Sequence, residues 1–248
     1  STNSDIYLYN LASGETTNIS KDNPGYDQDP VFSPDGSKIV WRSMETPGFE
    51  ADKDRIMLCE INPKSLEGVK KGIEPKKTAS GKQLVMTSHV FTDLSEGFDQ
   101  SSTSFKFSPD GKQLYFISGI HATYQVYRID LATRKITQLT QGDHDIQAFA
   151  LDGNDLIITK MRHDLPSEVF RVKPDGSEEQ LTFTNREILK NVTFGKSEKR
   201  WITTTDGKQM LVWVILPPNF DKNKKYPALL YCQGGPQSAV SQFFSYRW

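Results

Sequence analysis

The sequence predicts a mainly β chain: about four blades of a partial β-propeller over residues 1–198, followed over 199–248 by the opening strands of a second, mixed α/β domain. Three observations carry this. A hairpin with a Ser-Pro-Asp-Gly turn recurs, a second strand unit recurs at the spacing of a propeller blade, and near residue 200 short alternating strands give way to one long strand and an unbroken apolar run.

The hairpin appears first as Val31-Phe32-Ser33-Pro34-Asp35-Gly36-Ser37-Lys38-Ile39-Val40-Trp41. It returns as Phe105-Lys106-Phe107-Ser108-Pro109-Asp110-Gly111-Lys112-Gln113-Leu114-Tyr115-Phe116, and in weaker form between Phe149 and Ile158. Proline presets φ, the aspartate bonds to nearby backbone N–H groups, and glycine accepts the positive φ that the turn needs. The flanks alternate apolar and polar residues as strands do. Equivalent turns place Phe32 and Phe107 on the same face.

The second unit reads Asp5-Ile6-Tyr7-Leu8-Tyr9, Arg55-Ile56-Met57-Leu58-Cys59, Gln125-Val126-Tyr127-Arg128-Ile129 and Glu168-Val169-Phe170-Arg171-Val172. Three copies run on into a short polar turn and an outer strand, over residues 14–19, 134–140 and 177–182. The copies at Ile6, Ile56, Val126 and Val169 lie 50, 70 and 43 residues apart. A unit of about 43 residues holding four strands is a propeller blade. The longer spacing calls for an insertion, which the stretch from Pro63 to Ser101 supplies. Its lysines, Lys70, Lys71, Lys76 and Lys77, read as a solvated loop.

Composition excludes several function classes. Thirty basic against thirty-one acidic residues give a net charge of -1, mixed in sign along the chain, so no footprint for nucleic acid or a membrane surface is present. With 36% hydrophobic residues the chain can bury a core, and no apolar run is long enough to span a bilayer. Cys59 and Cys232 sit in strand-like apolar contexts and read as two buried free thiols. No Cys/His spacing suits a metal, and no cofactor motif occurs. Residues 1–5 lack the basic and apolar regions of a signal peptide.

From Trp201 a hairpin with a long second strand reaches Leu216-Pro217-Pro218. A polar loop then leads to Tyr226-Pro227-Ala228-Leu229-Leu230-Tyr231-Cys232, which is apolar without alternation, the mark of a strand buried on both faces. That run opens directly into Gln233-Gly234-Gly235-Pro236-Gln237-Ser238.

Taken in this order, the Ser-Pro-Asp-Gly repeats, the Asp206-Gly207 turn, Leu216-Pro217-Pro218-Asn219-Phe220, Tyr226-Pro227 and Gly234-Gly235-Pro236 resemble the prolyl oligopeptidase family of serine peptidases. The resemblance covers the whole chain. It implies that residues 199–248 begin a truncated α/β-hydrolase peptidase domain, and that a propeller would cap its active site and admit short or unfolded peptides. Each catalytic cycle would pass through an acyl-enzyme.

By the same resemblance, Gln233, Gly234, Gly235 and Pro236 form the oxyanion-hole loop, with the Gly235 N–H as donor and that of Gly234 as the alternative. Glycines let such a loop bring its backbone close to the tetrahedral oxyanion with no Cβ in the way. The dipeptidyl peptidase IV branch carries a tyrosine where this chain has Gln233. The glycine pair is closer to the acylaminoacyl peptidase and dipeptidyl-peptidase V branches, whose donor is the backbone.

No Gly-x-Ser-x-Gly occurs in the sequence, and all four histidines, His89, His121, His144 and His163, precede the hydrolase segment. No catalytic Ser, Asp or His of the triad is therefore expected in this chain, which reads as an inactive piece of a longer enzyme. His163-Asp164 reads as a loop histidine beside a loop aspartate, and Ser238 as a loop serine. The expected partners are short peptide substrates of the parent enzyme, the rest of the same polypeptide, and a second copy in a homodimer; the family resemblance favours a periplasmic or secreted location. Two alternatives stand beside this reading: a stand-alone propeller that binds a partner, and a pseudoenzyme whose hydrolase domain is structural.

Overall fold

The computed structural model describes residues 2–61, 91–231 and 239–246. Among the described residues the fold is strand-rich, with one four-residue helix, and no helix is long and apolar enough to cross a membrane. The chain divides into two compact units. One is Ser1–Ser118 with Tyr127–Gln138, and the other is Gly119–Val126 with Leu139–Trp248.

In the first unit β1 (Tyr7–Tyr9) pairs antiparallel with β2 (Thr16–Asn18). β3 (Asp27–Phe32), β4 (Lys38–Ser43), β5 (Arg55–Glu60) and β6 (Phe91–Asp93) form a four-stranded antiparallel meander. β7 (Ser102–Phe107), β8 (Gln113–Ile120), β9 (Thr123–Asp130) and β10 (Ile136–Gln138) repeat it, the tips of β8 and β9 belonging to the second unit. The second unit holds a further meander, β11 (Asp145–Asp152), β12 (Asp155–Arg162), β13 (Leu165–Val172) and β14 (Glu178–Gln180). It continues with α1 (Arg186–Leu189) and the hairpin of β15 (Ser197–Thr203) and β16 (Gln209–Ile215).

The repeated turns occupy equivalent places, and their chemistry is shared in detail. Gly36 and Gly111 N–H donate to the carbonyls of Ser33 and Ser108 at 2.9 Å, at φ of 69° and 67°. Each serine hydroxyl donates to the turn aspartate, Asp35 or Asp110, at 2.6 Å, and accepts the N–H of Lys38 or Gln113 as the next strand begins. Those hydrogen bonds hold both aspartates below the usual carboxylate range. Register also repeats: Phe32 pairs with Ile39 and Phe107 with Leu114, and each inner strand bulges at a residue of positive φ, Asp29 or Ser104. The burial of the two phenylalanines differs, because Phe107 is 9% exposed in the core while Phe32 is 48% exposed.

A second repeated device was not visible as such in the sequence. The N–H groups of Ile6, Ile56, Val126 and Val169 donate to the hydroxyls of Ser20, Ser95, Thr140 and Thr182 at 2.8, 3.0, 3.0 and 2.8 Å. Their carbonyls accept the N–H of Ile19, Leu94, Leu139 and Leu181. Each outer strand is thus clamped to its neighbour where the strand ends, at the four positions that the sequence repeat aligned.

One of these clamps corrects the expected insertion. Phe91–Asp93 lies inside the stretch read as an inserted loop, yet it is β6, the outer strand of its meander, paired with Met57–Cys59. Its Thr92-Asp93-Leu94-Ser95 matches Thr17-Asn18-Ile19-Ser20 and Thr137-Gln138-Leu139-Thr140. The lysine cluster lies in 62–90, outside the described residues.

In the sheet of β3 to β6 the central strands, β4 and β5, are buried on both faces. Val40, Ile56 and Leu58 join Phe105, Phe107, Leu114, Phe116, Tyr127 and Ile129 in one cluster. Ile39, Trp41 and Cys59 turn the other way, onto Ile6, Leu8 and Ile19. Burial pushes the Cys59 thiol up to about 12, which makes it an inert core residue; Cys232 lies outside the described residues.

The expected strand at Tyr226–Tyr231 is not formed. Those residues carry no strand, and Leu229 and Leu230 are 99% and 88% exposed. Among the described residues no strand pairs with this run.

Candidate active-site segment

The loop singled out by the sequence, Gln233, Gly234, Gly235 and Pro236, lies with Ser238 in 232–238, outside the described residues. The chain on either side of it is described, and the two sides differ.

Before the loop, the foot of the β15–β16 hairpin is closed by Leu216 N–H donating to the Lys196 carbonyl at 2.9 Å. Gly195 lets this happen, since a Cβ there would lie 1.7 Å from the Leu216 carbonyl oxygen. An open hollow of about 420 Å³ sits here, lined by Phe194, Leu216, Pro217 and Phe220 with Lys196, Glu198 and Arg200. The charges at its rim satisfy one another: Glu198 accepts Lys196 at 3.0 Å and Arg200 at 3.3 Å.

After the loop, residues 241–246 are fastened to the meander of β11 to β14. Ser241 Oγ–H donates to Asp145 Oδ2 at 2.6 Å, with both residues buried. Gln242 is 2% exposed, and its Oε1 accepts the His163 N–H at 3.3 Å. Phe244 N–H reaches Met161 Sδ at 3.4 Å and its ring meets Phe194, while Tyr246 Oη–H donates to Asn185, the N-cap of α1, at 2.8 Å.

His163 occupies the two-residue turn between β12 and β13, as a loop position, but its ring is half-buried and fully engaged. Nε2 faces the Ser241 carbonyl at 3.0 Å and Nδ1 faces Ser197 Oγ at 2.8 Å. A carbonyl only accepts, so the partners place the proton on Nε2 and leave Nδ1 to accept the serine hydroxyl. The ring also packs edge-on against Trp213 at 5.6 Å. Burial holds its pKa below the ordinary value, opposed by the Ser241 carbonyl and Asp145. With both nitrogens occupied it is a tether and not a base. Asp164 pairs instead with Arg162 at 2.8 Å.

Burial raises the pKa of Asp145, and its bond from Ser241 opposes that rise. His144, next to it, is 4% exposed and lowered to about 4 by burial and by the nearby Lys160 charge, whose ammonium pairs with Glu178. His121 sits in the β8–β9 turn against Trp201; His89 is outside the described residues. Among the described residues no cluster of His, Cys, Asp and Glu has the makings of a metal site.

Sequence reasoning missed Asp145, Ser197, Trp213, Ser241 and Gln242 as a group. Ser241 and Asp145 lie 96 residues apart, and each on its own reads as an ordinary polar residue.

Comparison with known proteins gives the family of the chain. No protein-family profile matches the chain. Over 249 aligned residues it is 43% identical to dipeptidyl-peptidase 5 of Porphyromonas gingivalis and 40% identical to dipeptidyl-peptidase 5 of Porphyromonas endodontalis, in both cases across 100% of its length. The chain belongs to the prolyl oligopeptidase family. It spans about a third of the length of these curated relatives, 33% and 32%. Among solved structures, the Pyrococcus horikoshii acylaminoacyl peptidase matches 98% of the chain and 32% of its own, with a TM-score of 0.67 at 20% identity. Porphyromonas gingivalis dipeptidyl peptidase 4 matches 98% of the chain and 39% of its own, with a TM-score of 0.51 at 18% identity. These two likenesses concern the fold.

Proposed function

We propose that the chain is part of a serine exopeptidase that removes short peptides, of dipeptidyl type, from peptide substrates through an acyl-enzyme. Residues 1–198 would form the partial β-propeller and residues 199–248 the opening of the α/β-hydrolase domain. The observation that carries the reading is the 43% identity to a dipeptidyl-peptidase 5, in a match that covers the whole chain. Four repeated clamps and two matching Ser-Pro-Asp-Gly turns support the propeller.

In this reading the loop Gln233–Pro236 supplies one oxyanion donor from its backbone, the Gly235 N–H, and the triad resides elsewhere in the longer enzyme, since this sequence contains no Gly-x-Ser-x-Gly. The partners are peptides and the rest of the polypeptide. A periplasmic or secreted location and a homodimer belong to the same proposal.

The test is made in the full-length enzyme. Gly235→Pro removes the donor, and turnover is expected to fall about a hundredfold or more while KM changes much less, because the N–H stabilises charge that appears only in the transition state. Gln233→Ala keeps every backbone donor and is expected to retain most activity. Near-normal turnover of the proline variant refutes the assignment; a Gln233→Ala enzyme that loses as much transfers the donor to the glutamine side chain.

A further inference from the structure

We propose that the free edge and outward face of β1, at Tyr7, Tyr9 and Leu11, form a docking surface for the polypeptide N-terminal to residue 1 in the longer enzyme. That polypeptide supplies a β-hairpin, which pairs along the edge and completes a four-stranded meander, and a further meander that closes over the tyrosines. This rests on the propeller reading given above.

The repeat shows what these side chains meet elsewhere. The clamps align Ile6 with Ile56, Val126 and Val169, so Tyr7 corresponds to Met57, Tyr127 and Phe170, and Tyr9 to Cys59, Ile129 and Val172. Tyr127 and Phe170 are 3% and 7% exposed, and Cys59, Ile129 and Val172 are at most 3% exposed. Tyr7 and Tyr9 are 60% and 58% exposed. Leu11, at 91%, corresponds to Ile61, at 2%. In the first unit the cover of two copies is in view. Cys59 and Ile61, with Met57 packed against them, cluster with Ile39 and Trp41 of β4 and with Ile6, Leu8 and Ile19. Tyr127 and Ile129 cluster with Leu114 and Phe116 of β8 and with Val40, Ile56 and Leu58. Each cover thus has two parts, the adjoining strand of the same meander and the strands that come before that meander. β1 has neither among the described residues, where it pairs with β2 alone.

The backbone calls for a strand as well as an apolar cover. Ile6 gives its N–H to Ser20 and its carbonyl to Ile19. Along an antiparallel strand such bonds alternate in direction, so the N–H and C=O groups of Tyr7 and Tyr9 face the open edge. In β5 and β13 the matching edge is filled. There Trp41 and Ile39 lie opposite Met57 and Cys59, and Ile158 and Leu156 lie opposite Phe170 and Val172. The strand that fits β1 therefore carries two apolar residues, two positions apart, opposite the tyrosines. In all three complete meanders that strand directly precedes its partner in sequence, across links of 11, 2 and 2 residues, which assigns it to the N-terminal side. The relatives, of which this chain spans 33% and 32%, have the length to provide it.

The experiment uses the full-length enzyme with single introduced cysteines, their labelling by a maleimide corrected for the native thiols with the unsubstituted enzyme. Ala12→Cys lies in the β1–β2 turn, whose counterpart Ala132 is exposed although its meander is complete, and it is expected to label as a free thiol does. Tyr9→Cys is expected to label about a hundredfold more slowly or less, and both at one rate in urea. A Tyr9→Cys rate within about threefold of Ala12→Cys overturns the proposal. Ile129→Cys, in the core shared by two meanders, separates the two failures. Rapid labelling there sinks the propeller reading itself, whereas a protected Ile129→Cys beside an open Tyr9→Cys sinks the docking surface alone. Photocrosslinking from benzoylphenylalanine at position 9 keeps an aromatic ring there, serves where the cysteine variant fails to fold, and identifies the occupant. The expected adduct is with residues N-terminal to residue 1. An adduct with residues beyond 248, an adduct between two copies of the enzyme, or no adduct overturns the proposal.

Discussion

Residues 39–41 and 226–231 are both unbroken apolar runs, and they end in opposite states. Ile39, Val40 and Trp41 in β4 are 1%, 0% and 1% exposed, whereas Leu229 is 99% exposed and belongs to no strand. The difference lies in the partners. β4 is flanked by β3, across the Ser33–Gly36 turn, and by β5, and each face of the sheet meets a cluster of apolar side chains. A hairpin neighbour is supplied by the chain within a few residues, while a strand in a parallel or mixed sheet needs one from a dozen or more residues away. An apolar run therefore specifies burial without specifying what it will be buried against.

The β15–β16 hairpin tests this outside the meanders, because it too forms from local pairing. Gly195→Val is expected to have the largest effect. Its Cβ would lie 1.7 Å from a backbone oxygen, and no rotamer relieves that clash, so the foot of the hairpin must open. A loss of about 3 kcal/mol or more in urea denaturation is expected, the scale of overpacking with backbone displacement. A wild-type midpoint would show that local pairing holds the hairpin without the Lys196–Leu216 closure.

A smaller effect is expected from His144, whose state depends on the assembled meander. Its pKa of about 4 lies below the ordinary 6.5, so the unfolded chain binds a proton that the native chain refuses. Stability is lost as pH falls from 6.5 towards 4 and levels off below, by on the order of 2–3 kcal/mol. In His144→Gln the His144 share of that slope should disappear, leaving the same-signed share of His163 and the opposite trend of Asp27, Asp54 and Asp145, whose pKa values burial raises. Equal slopes in the two proteins, measured as stability against pH, would mean that the histidine is not buried as the fold places it.

The smallest effect falls on the four clamps. Ser20→Ala, Ser95→Ala, Thr140→Ala and Thr182→Ala each remove one acceptor from a strand N–H and should each cost about 1 kcal/mol. Similar values would establish the four sites as equivalent. A Ser95→Ala change without effect would separate the sheet of β6, reached only after residues 62–90, from the others.

Much of the repeat was legible because its signals are local. Ser33-Pro34-Asp35-Gly36 forms its turn from its own side chains, and the same geometry recurs at Ser108–Gly111. The outer strand at Phe91–Asp93 was missed although its Thr-Asp-Leu-Ser matches the other copies, because a three-residue strand after a long insertion lacks enough periodicity to be seen. The anchor of the candidate site left no mark at all. Asp145 precedes Ser241 by 96 residues, and only packing made them partners.

By itself, then, the sequence determined what short-range chemistry controls: the hairpins, the turn aspartates and the phase of the repeat. Tertiary structure alone decided which apolar runs found partners, that Phe107 is buried where the register-equivalent Phe32 is not, and that Asp145, His163 and Ser241 meet. The physical reason is that backbone turns are settled by a few neighbouring dihedrals and side chains, whereas burial and long-range hydrogen bonds depend on which surface arrives opposite, and no pattern along the chain encodes that arrival.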